Sequence, residues 1–185
     1  SSPWVDATVV LASVASVTKR LKIGTSVYIL PLRSPFVAAR AASALDIISQ
    51  GRLIFGVGTG WTRGEFEAVG EDFDNRGKRT EEIVEILKKL WTEETIEFDG
   101  EFYSFDPVKF EPKPLQQPYP PVHFGGEAPV ALRRAACVGD GWIGLPKSIE
   151  ETRTSIGYML EQRAEIGKAK DDFEITVYCG LPQTL

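Results

Sequence analysis

The spacing of apolar residues alternates along the chain between that of a helix and that of a buried strand. In the helical stretches apolar residues recur every three or four positions, and short continuous apolar runs lie between these stretches. One helix is predicted to begin with Ser34 as N-cap and Pro35 in its first turn, and to end at Gly51. Five apolar residues fall on one face of this helix: Val37, Ala38, Ala41, Leu45 and Ile48.

Applied to the whole chain, this pattern predicts five helices and five strands. In the helix over 74–92, Ile83, Ile86, Leu87 and Leu90 form an apolar face, and the charged face opposite is expected to be solvated. The predicted helices cover residues 6–18, 34–51, 74–92, 129–138 and 148–166. The predicted strands cover residues 21–30, 52–59, 121–124, 141–145 and 173–179.

The alternation breaks once, over residues 93–120. TIEF, the turn residues Asp99 and Gly100, and EFYSF form the signature of a β-hairpin. Five prolines follow between Pro107 and Pro120. We interpret this segment as an insertion on the rim of the domain.

Strands that alternate with helices, and that are apolar throughout, predict a parallel sheet covered by helices. Such a sheet is either doubly wound or a β/α barrel, and a complete eightfold barrel needs about 250 residues. With 185 residues and an insertion, the chain has either an open sheet or part of a barrel, in one domain over 1–185. In both architectures ligands bind at the carboxyl ends of the strands.

The predicted strands end in small or glycine-rich sequences: GTSVYILPLRSP, VGTGW, HFGGEAP and DGWIGLP. VGTGW does not fit a dinucleotide fingerprint, because Trp61 stands where that motif needs its last glycine and no acidic residue follows at the required distance. An alternative for Gly56 and Gly58 is that they relieve crowding within the sheet. That alternative does not explain the residues at the very end of the strand.

HFGGEAP places Gly125 and Gly126 before Pro129 at a predicted helix start. Backbone N–H groups at a helix N-terminus can hold phosphate oxygens, so this sequence fits a phosphate-bearing cofactor. An ordinary strand-to-helix turn, in which glycine supplies a positive φ, explains the two glycines equally well.

Composition narrows the choice of partners. The net charge is −5, the pI is about 5.1 and the basic residues are scattered, so we expect no nucleic-acid or membrane partner. No apolar run reaches membrane-spanning length and no signal peptide is evident, so a cytoplasmic location is predicted. Cys137 and Cys179 have no Cys or His partner at metal-binding spacing, so no metal site is expected.

Five segments, in order, carry a resemblance to a known family. They are GTSVYILPLRSP, ALDIISQGRLIFGVGTGWTRGEFEAVG, RGKRTEEIVEILKKLW, FDGEFYSF with FEPKPLQQPYPPVHFGG, and ALRRAACVGDGWIGLP. The chain thereby resembles the luciferase-like superfamily of flavin- and deazaflavin-dependent oxidoreductases. EF after GW, and GGEAPVALRRAA with GDGW, are most similar to the branch that uses the 8-hydroxy-5-deazaflavin coenzyme F-420, and FMN enzymes share much of the pattern.

The resemblance implies a TIM-barrel-like (β/α)8 fold that is incomplete here. The chain would start at about the second helix and stop at about the seventh strand, lacking two strands at the start and one at the end. About five parallel strands with helices, plus the hairpin insertion, are expected.

The resemblance also implies the cofactor-binding residues. A bulge with a cis peptide bond at Ser26-Val27 would support the cofactor ring, Thr59, Gly60 and Trp61 would contact or cover it, and a glycine pair with the following helix start would bind phosphate. The implied cofactor-binding residues are Ser26, Val27, Tyr28, Thr59, Gly60, Trp61, Gly125, Gly126, Pro129 and Val130.

Other polar residues have both a functional and a structural interpretation. His123 and Glu65 are candidate catalytic residues, with core packing and solvent exposure as the alternatives. Arg33 and Arg63 could meet acidic groups of a ligand or form ordinary surface pairs. Asp140 is expected to organise a turn. The general acid or base is expected on the early strands that the chain lacks.

These observations predict an oxidoreductase that transfers hydride between a deazaflavin and a small organic substrate, with the cofactor performing the chemistry. The first alternative is an FMN-dependent monooxygenase, in which reduced flavin activates oxygen. The second is a non-catalytic, truncated flavin-binding or structural homologue. Open strand edges invite association, so a homo-oligomer is expected.

Overall fold

A computed structural model describes residues 5–145 and 148–178 of the 185-residue chain. Two compact units are present, Ser1–Pro121 and Val122–Leu185. The predicted strand over 173–179 extends to Cys179, which lies outside the described residues.

The first unit contains four helices, three parallel strands and a hairpin. Its helices are α1 (Ala7–Val17), α2 (Pro35–Ser49), α3 (Arg63–Val69) and α4 (Arg76–Thr92), with a 3-10 turn at Leu30–Leu32. Its strands are β1 (Ile23–Gly24), β2 (Tyr28–Ile29), β3 (Leu53–Gly58), β4 (Ile96–Asp99) and β5 (Ser104–Val108). The predicted helices over 6–18, 34–51 and 74–92 and the predicted hairpin are confirmed.

The second unit alternates strand and helix throughout. It consists of β6 (Val122–Gly125), α5 (Pro129–Val138), β7 (Gly141–Gly144), α6 (Ile149–Glu165) and β8 (Glu174–Val177). β7 pairs in parallel with both β6 and β8. Parallel strands connected by helices confirm the predicted α/β fold class.

The apolar run over 21–30 forms two short strands, both parallel to β3, where the pattern predicted one. Gly24 lies opposite Ile54 and Tyr28 opposite Val57, so four steps along the first segment span three along β3. Within this β-bulge the buried Thr25 hydroxyl donates to the Gly56 carbonyl at 2.6 Å. A side-chain hydrogen bond therefore connects the two segments where the strand is interrupted.

Helix α2 buries only part of the predicted face. Ala38 and Leu45 of that face are buried, whereas Val37 and Ile48 are 59% and 45% exposed. The predicted apolar face of α4, in contrast, is fully buried. Small side chains let α2 approach its neighbours closely, which the spacing of large apolar residues does not indicate.

Helix α3 was not predicted. Of its seven residues only Phe66 is buried, so the segment has no repeating apolar face. It begins shortly after β3 ends, and it contains Glu65 in its first turn.

A buried carboxylate anchors the proline-rich part of the insertion. Asp46, on α2, has no exposed surface and accepts from the backbone N–H groups of Leu115 and Gln116 at 2.8 and 2.9 Å. Its second oxygen accepts from the Gln116 side-chain amide at 2.6 Å. That amide also donates to the Leu53 carbonyl at 2.8 Å, which joins the insertion to the start of β3.

We predict that Asp46→Ala lowers the free energy of unfolding by about 3 kcal/mol, because it removes the acceptor of three part-buried donors. Asp46→Asn keeps the shape and one acceptor oxygen, so its loss should be nearer about 1 kcal/mol. Urea unfolding of the two variants measures both values. Equal losses in the two variants would contradict the prediction, because a neutral acceptor oxygen at this position would then contribute nothing to stability.

Candidate functional site

The carboxyl end of β3 contacts the bulge directly. A Cβ at Gly58 would lie 2.6 Å from Cγ2 of Val27, a separation that real structures do not tolerate. Val27 therefore occupies the space that a side chain at position 58 would need. The peptide bond between Ser26 and Val27 is cis, as the resemblance implied.

Gly60 is required for two independent reasons. Its φ is +80°, a left-handed conformation that favours glycine. In addition, a Cβ there would lie 2.9 Å from both Ile29 Cγ2 and Phe66 Cε2. Packing within the chain thus explains Gly58 and Gly60, which supports the crowding alternative for Gly58 and extends it to Gly60.

The residues that flank Gly60 are not used in this packing. Thr59 is half-buried, and Trp61 is 85% exposed, so the indole forms no part of the core. Glu65 is also exposed, which fits its solvent-facing alternative. Trp61 as a wall of the cofactor site remains a prediction.

Two arginines of α4 hold the loops that follow β2 and β3. Arg76 donates from Nε to the Gly60 carbonyl at 3.3 Å, and its guanidinium lies 3.8 Å from the Phe73 ring centre. Arg79 donates to the Pro31 carbonyl at 2.7 Å and forms an ion pair with Glu71. Only 4% of Arg79 is exposed, so the expectation that the charged face of this helix is solvated was wrong for this residue.

Arg33 and Arg63 both have partners within the first unit. The Arg33 guanidinium lies 4.2 Å from the Tyr28 ring centre and donates to the Ile29 carbonyl at 3.2 Å. Arg63 forms an exposed ion pair with Asp74 at 2.7 Å, which is the ordinary surface pairing. Tyr28 is buried, and burial raises the pKa of its hydroxyl while the Arg33 charge opposes the rise. Tyr28 is therefore a neutral phenol at pH 7.

In the second unit, Gly126 forms the turn between β6 and α5. Its φ is +114°, and Trp142 donates from Nε1 to its carbonyl at 2.8 Å. The positive φ agrees with the structural alternative for Gly126, an ordinary strand-to-helix turn that needs glycine. It also leads directly to a helix start that has no side-chain cap, because the N-cap residue is Ala128.

The start of α5 has no side-chain cap, and most of its first backbone N–H groups are absent or already bonded. Pro129, in the first turn, has no N–H, and the N–H groups of Ala131 and Leu132 both bond to the Ala128 carbonyl. Val130 is 63% exposed. Glu127 places a carboxylate next to this helix start, where it accepts from the Leu145 N–H at 2.7 Å. The positive end of the helix dipole therefore meets no side-chain acceptor at the N-cap itself.

His123 and Asp140 have structural surroundings. His123 has no exposed surface, and its imidazole lies against Gly141, where an added Cβ would be 2.6 Å from Nε2. These surroundings fit the core-packing alternative. The Asp140 carboxylate accepts from the Val122 N–H at 3.0 Å and so orders the start of β6, which agrees with the expected turn role.

The described residues, 5–145 and 148–178, contain no group of three His, Cys, Asp or Glu side chains placed to hold a metal ion. None of the helices in that part of the chain is both long and apolar enough to cross a membrane.

The profile of the family described as luciferase-like monooxygenase matches residues 1–181. The chain belongs to this family. The resemblance inferred from the motifs is thereby confirmed.

Individual relatives show the range of the family. The chain is 37% identical over 175 residues to an uncharacterized protein of Mycobacterium bovis, a match that covers 95% of this chain and 59% of that protein. It is 34% identical over 155 residues to an FMNH2-dependent dimethylsulfone monooxygenase of Pseudomonas putida, covering 82% of this chain and 42% of the relative. The chain thus spans about half the length of these relatives.

A solved structure confirms the fold. The coenzyme F-420-dependent tetrahydromethanopterin reductase of Methanopyrus kandleri superimposes with a TM-score of 0.83 and 21% identity. The match covers 94% of this chain and 54% of that protein. The predicted incomplete TIM-barrel-like fold is confirmed, and at this identity the match concerns the fold alone.

We predict that Gly60→Ala lowers the free energy of unfolding by about 2–4 kcal/mol, because it combines a disfavoured φ with two close contacts. The matched control is Gly64→Ala in α3, where an added Cβ meets nothing within 4 Å. That variant should raise stability by about 0.5 kcal/mol through helix propensity. Similar urea midpoints for the two variants would contradict the packing explanation.

Proposed function

We propose that the chain is the part of an oxidoreductase that binds coenzyme F-420 and that the enzyme transfers hydride between this deazaflavin and a small organic substrate. The observation that carries the proposal is the carboxyl end of β3, where Gly58 packs against Val27 of the bulge and Gly60 packs between Ile29 and Phe66. Family membership supports the kind of cofactor.

Each unit, taken by itself, contains residues that fit one group of such a cofactor. In the first unit, Thr59 and Trp61 project from a strand end whose glycines are held rigidly by their neighbours, which suits a planar ring. In the second unit, the start of α5 presents the positive end of its helix dipole without a side-chain cap, which suits a phosphate. Gly125, Gly126, Pro129 and Val130 are the proposed phosphate-contacting residues.

A bound deazaflavin supplies the hydride chemistry at its ring. The protein groups bind and orient. Tyr28 contributes a buried, neutral ring beside the bulge, and the Arg33 guanidinium that covers it is already engaged with backbone. No described residue of the strand ends is assigned as general acid or base, and His123 and Glu65 keep that role only as untested candidates.

A second candidate is an FMN-dependent monooxygenase. The 34% identity to the FMNH2-dependent dimethylsulfone monooxygenase favours it, whereas the F-420-dependent reductase shares the fold at 21% identity. A non-catalytic flavin-binding or structural homologue is the third possibility.

Titration of the purified chain with coenzyme F-420, and separately with FMN, tests these proposals through the fluorescence of each cofactor. Tighter binding of F-420 supports the first proposal and tighter binding of FMN the second. If neither binds below about 1 mM, the chain is not a cofactor-binding unit by itself.

The phosphate role of α5 has a sharper test. Ala128→Asp should stabilise α5 as an N-cap by about 1 kcal/mol, yet weaken binding of the phosphate-bearing cofactor by at least about tenfold through charge repulsion. Ala128→Ser supplies a cap without a charge and should leave the affinity nearly unchanged. Fluorescence titration and thermal unfolding of both variants measure the two effects. The proposed phosphate role is wrong if Ala128→Asp binds as tightly as Ala128→Ser.

We also propose a cytoplasmic homo-oligomer with a small-molecule substrate. Apolar side chains on and next to α1 support self-association, since Val9, Val17 and Leu21 are 66%, 82% and 55% exposed. Light scattering should give a mass above 20.4 kDa that falls on dilution, and Val9→Lys should lower it further. A constant monomer mass at high concentration would contradict the proposal.

A further inference from the structure

The first turn of α4 contains two arginines that reach two different strand ends. Arg76 and Arg79 are one helical turn apart, so both project on the same side of the helix. Arg76 donates to the carbonyl of Gly60, two residues after β3, and Arg79 to that of Pro31, two residues after β2. These two strands pair in register, with Ile29 opposite Gly58.

This placement is unfavourable for the helix taken alone. Helix starts favour acidic residues, and the first turn of α4 has none, so its arginines oppose the helix dipole. Arg79 is also buried, and although Glu71 pairs with it, its Nε has no acceptor among the residues that the structure describes. The free energy that offsets this cost must therefore come from the hydrogen bonds of the two side chains to the loops after β2 and β3.

We propose that Arg76 and Arg79 are positioning residues that fix the ends of β2 and β3 relative to each other, and thereby set the affinity of this strand-end surface for its cofactor. The inference rests on the proposed function. The apolar face of α4 is fully buried, so the helix provides a rigid base for both side chains. The ion pair between Arg79 and Glu71 also connects the segment after α3 to these strand ends.

Arginine is needed at position 79 because one guanidinium serves two acceptors. It bonds the Pro31 carbonyl with one terminal nitrogen and Glu71 with the other. Lysine has a single terminal nitrogen on a flexible stem and does not reproduce this fork. Arg79→Lys should therefore restore only part of what Arg79→Met loses.

Hydrogen exchange on the full chain tests the positioning. In Arg76→Met and Arg79→Met, amides at 26–32 and 58–62 should exchange at least about tenfold faster than in the unaltered chain. The matched control is Arg52→Met. Arg52 donates to the carbonyls of Ala15, Thr18 and Leu21 at the opposite end of β3, so its loss should leave exchange at the strand ends unchanged. If Arg79→Met fails to fold, Arg76→Met, whose arginine is only half-buried, still decides the result.

Cofactor titration separates this inference from the proposed function. If the unaltered chain binds F-420 or FMN, Arg76→Met should weaken that binding by at least about tenfold and Arg52→Met by less than about twofold. Unchanged affinity and unchanged exchange in Arg76→Met would overturn the inference while the proposed function stands. If the unaltered chain binds neither cofactor, the proposed function and the affinity claim both fail. Exchange then decides alone whether the arginines fix the strand ends.

Discussion

Val27 occupies the space that a side chain at residue 58 would need, and the candidate site in the first unit depends on this contact. The bulge between β1 and β2 brings Val27 toward β3, and the Thr25 hydroxyl ties the same bulge to the Gly56 carbonyl. β3 must therefore end in glycine at 58. Two residues later the chain turns with a positive φ at Gly60, between Ile29 and Phe66. The resulting strand end is rigid and consists mainly of backbone.

Long cationic side chains hold much of this fold by donating to backbone carbonyls at helix ends. Arg52 does so at the C-terminus of α1, Lys113 at that of α4, and Arg163 and Lys168 at that of α5. Each of these positive charges is stabilised by the negative end of a helix dipole. Arg76 and Arg79 differ because they begin a helix, and their acceptors are the loops after two strands. The exception coincides with the candidate site, where local rules are most often broken for function.

The spacing of apolar residues predicted the helices and strands in which buried positions recur regularly. It failed where one buried contact determines the local structure. It predicted α4, whose apolar face is buried at every turn, and missed α3, where Phe66 alone is buried. It also gave one strand over 21–30, because an extra residue in a bulge leaves the run of apolar residues unchanged.

The polar anchors could not be predicted from spacing, because their partners are distant in the sequence. Asp46 bonds residues 69 and 70 positions away, and Arg79 bonds Pro31 across 48 positions. Both look like ordinary charged positions on amphipathic helices. The family motif, in contrast, located the cis peptide bond at Ser26-Val27, since it records a local backbone feature.

The glycines that first suggested a ligand site do not determine which ligand binds. Gly58 and Gly60 are required by contacts with Val27, Ile29 and Phe66, and those contacts are the same whichever ring lies on the strand end. Under the proposed function, selectivity between a deazaflavin and FMN must therefore come from side chains that the core does not use. In the first unit Trp61 meets this condition most clearly, because 85% of its surface is exposed although it directly follows a rigid strand end. Under the proposed function, this large aromatic ring is the first side chain through which the strand end could distinguish the two cofactors.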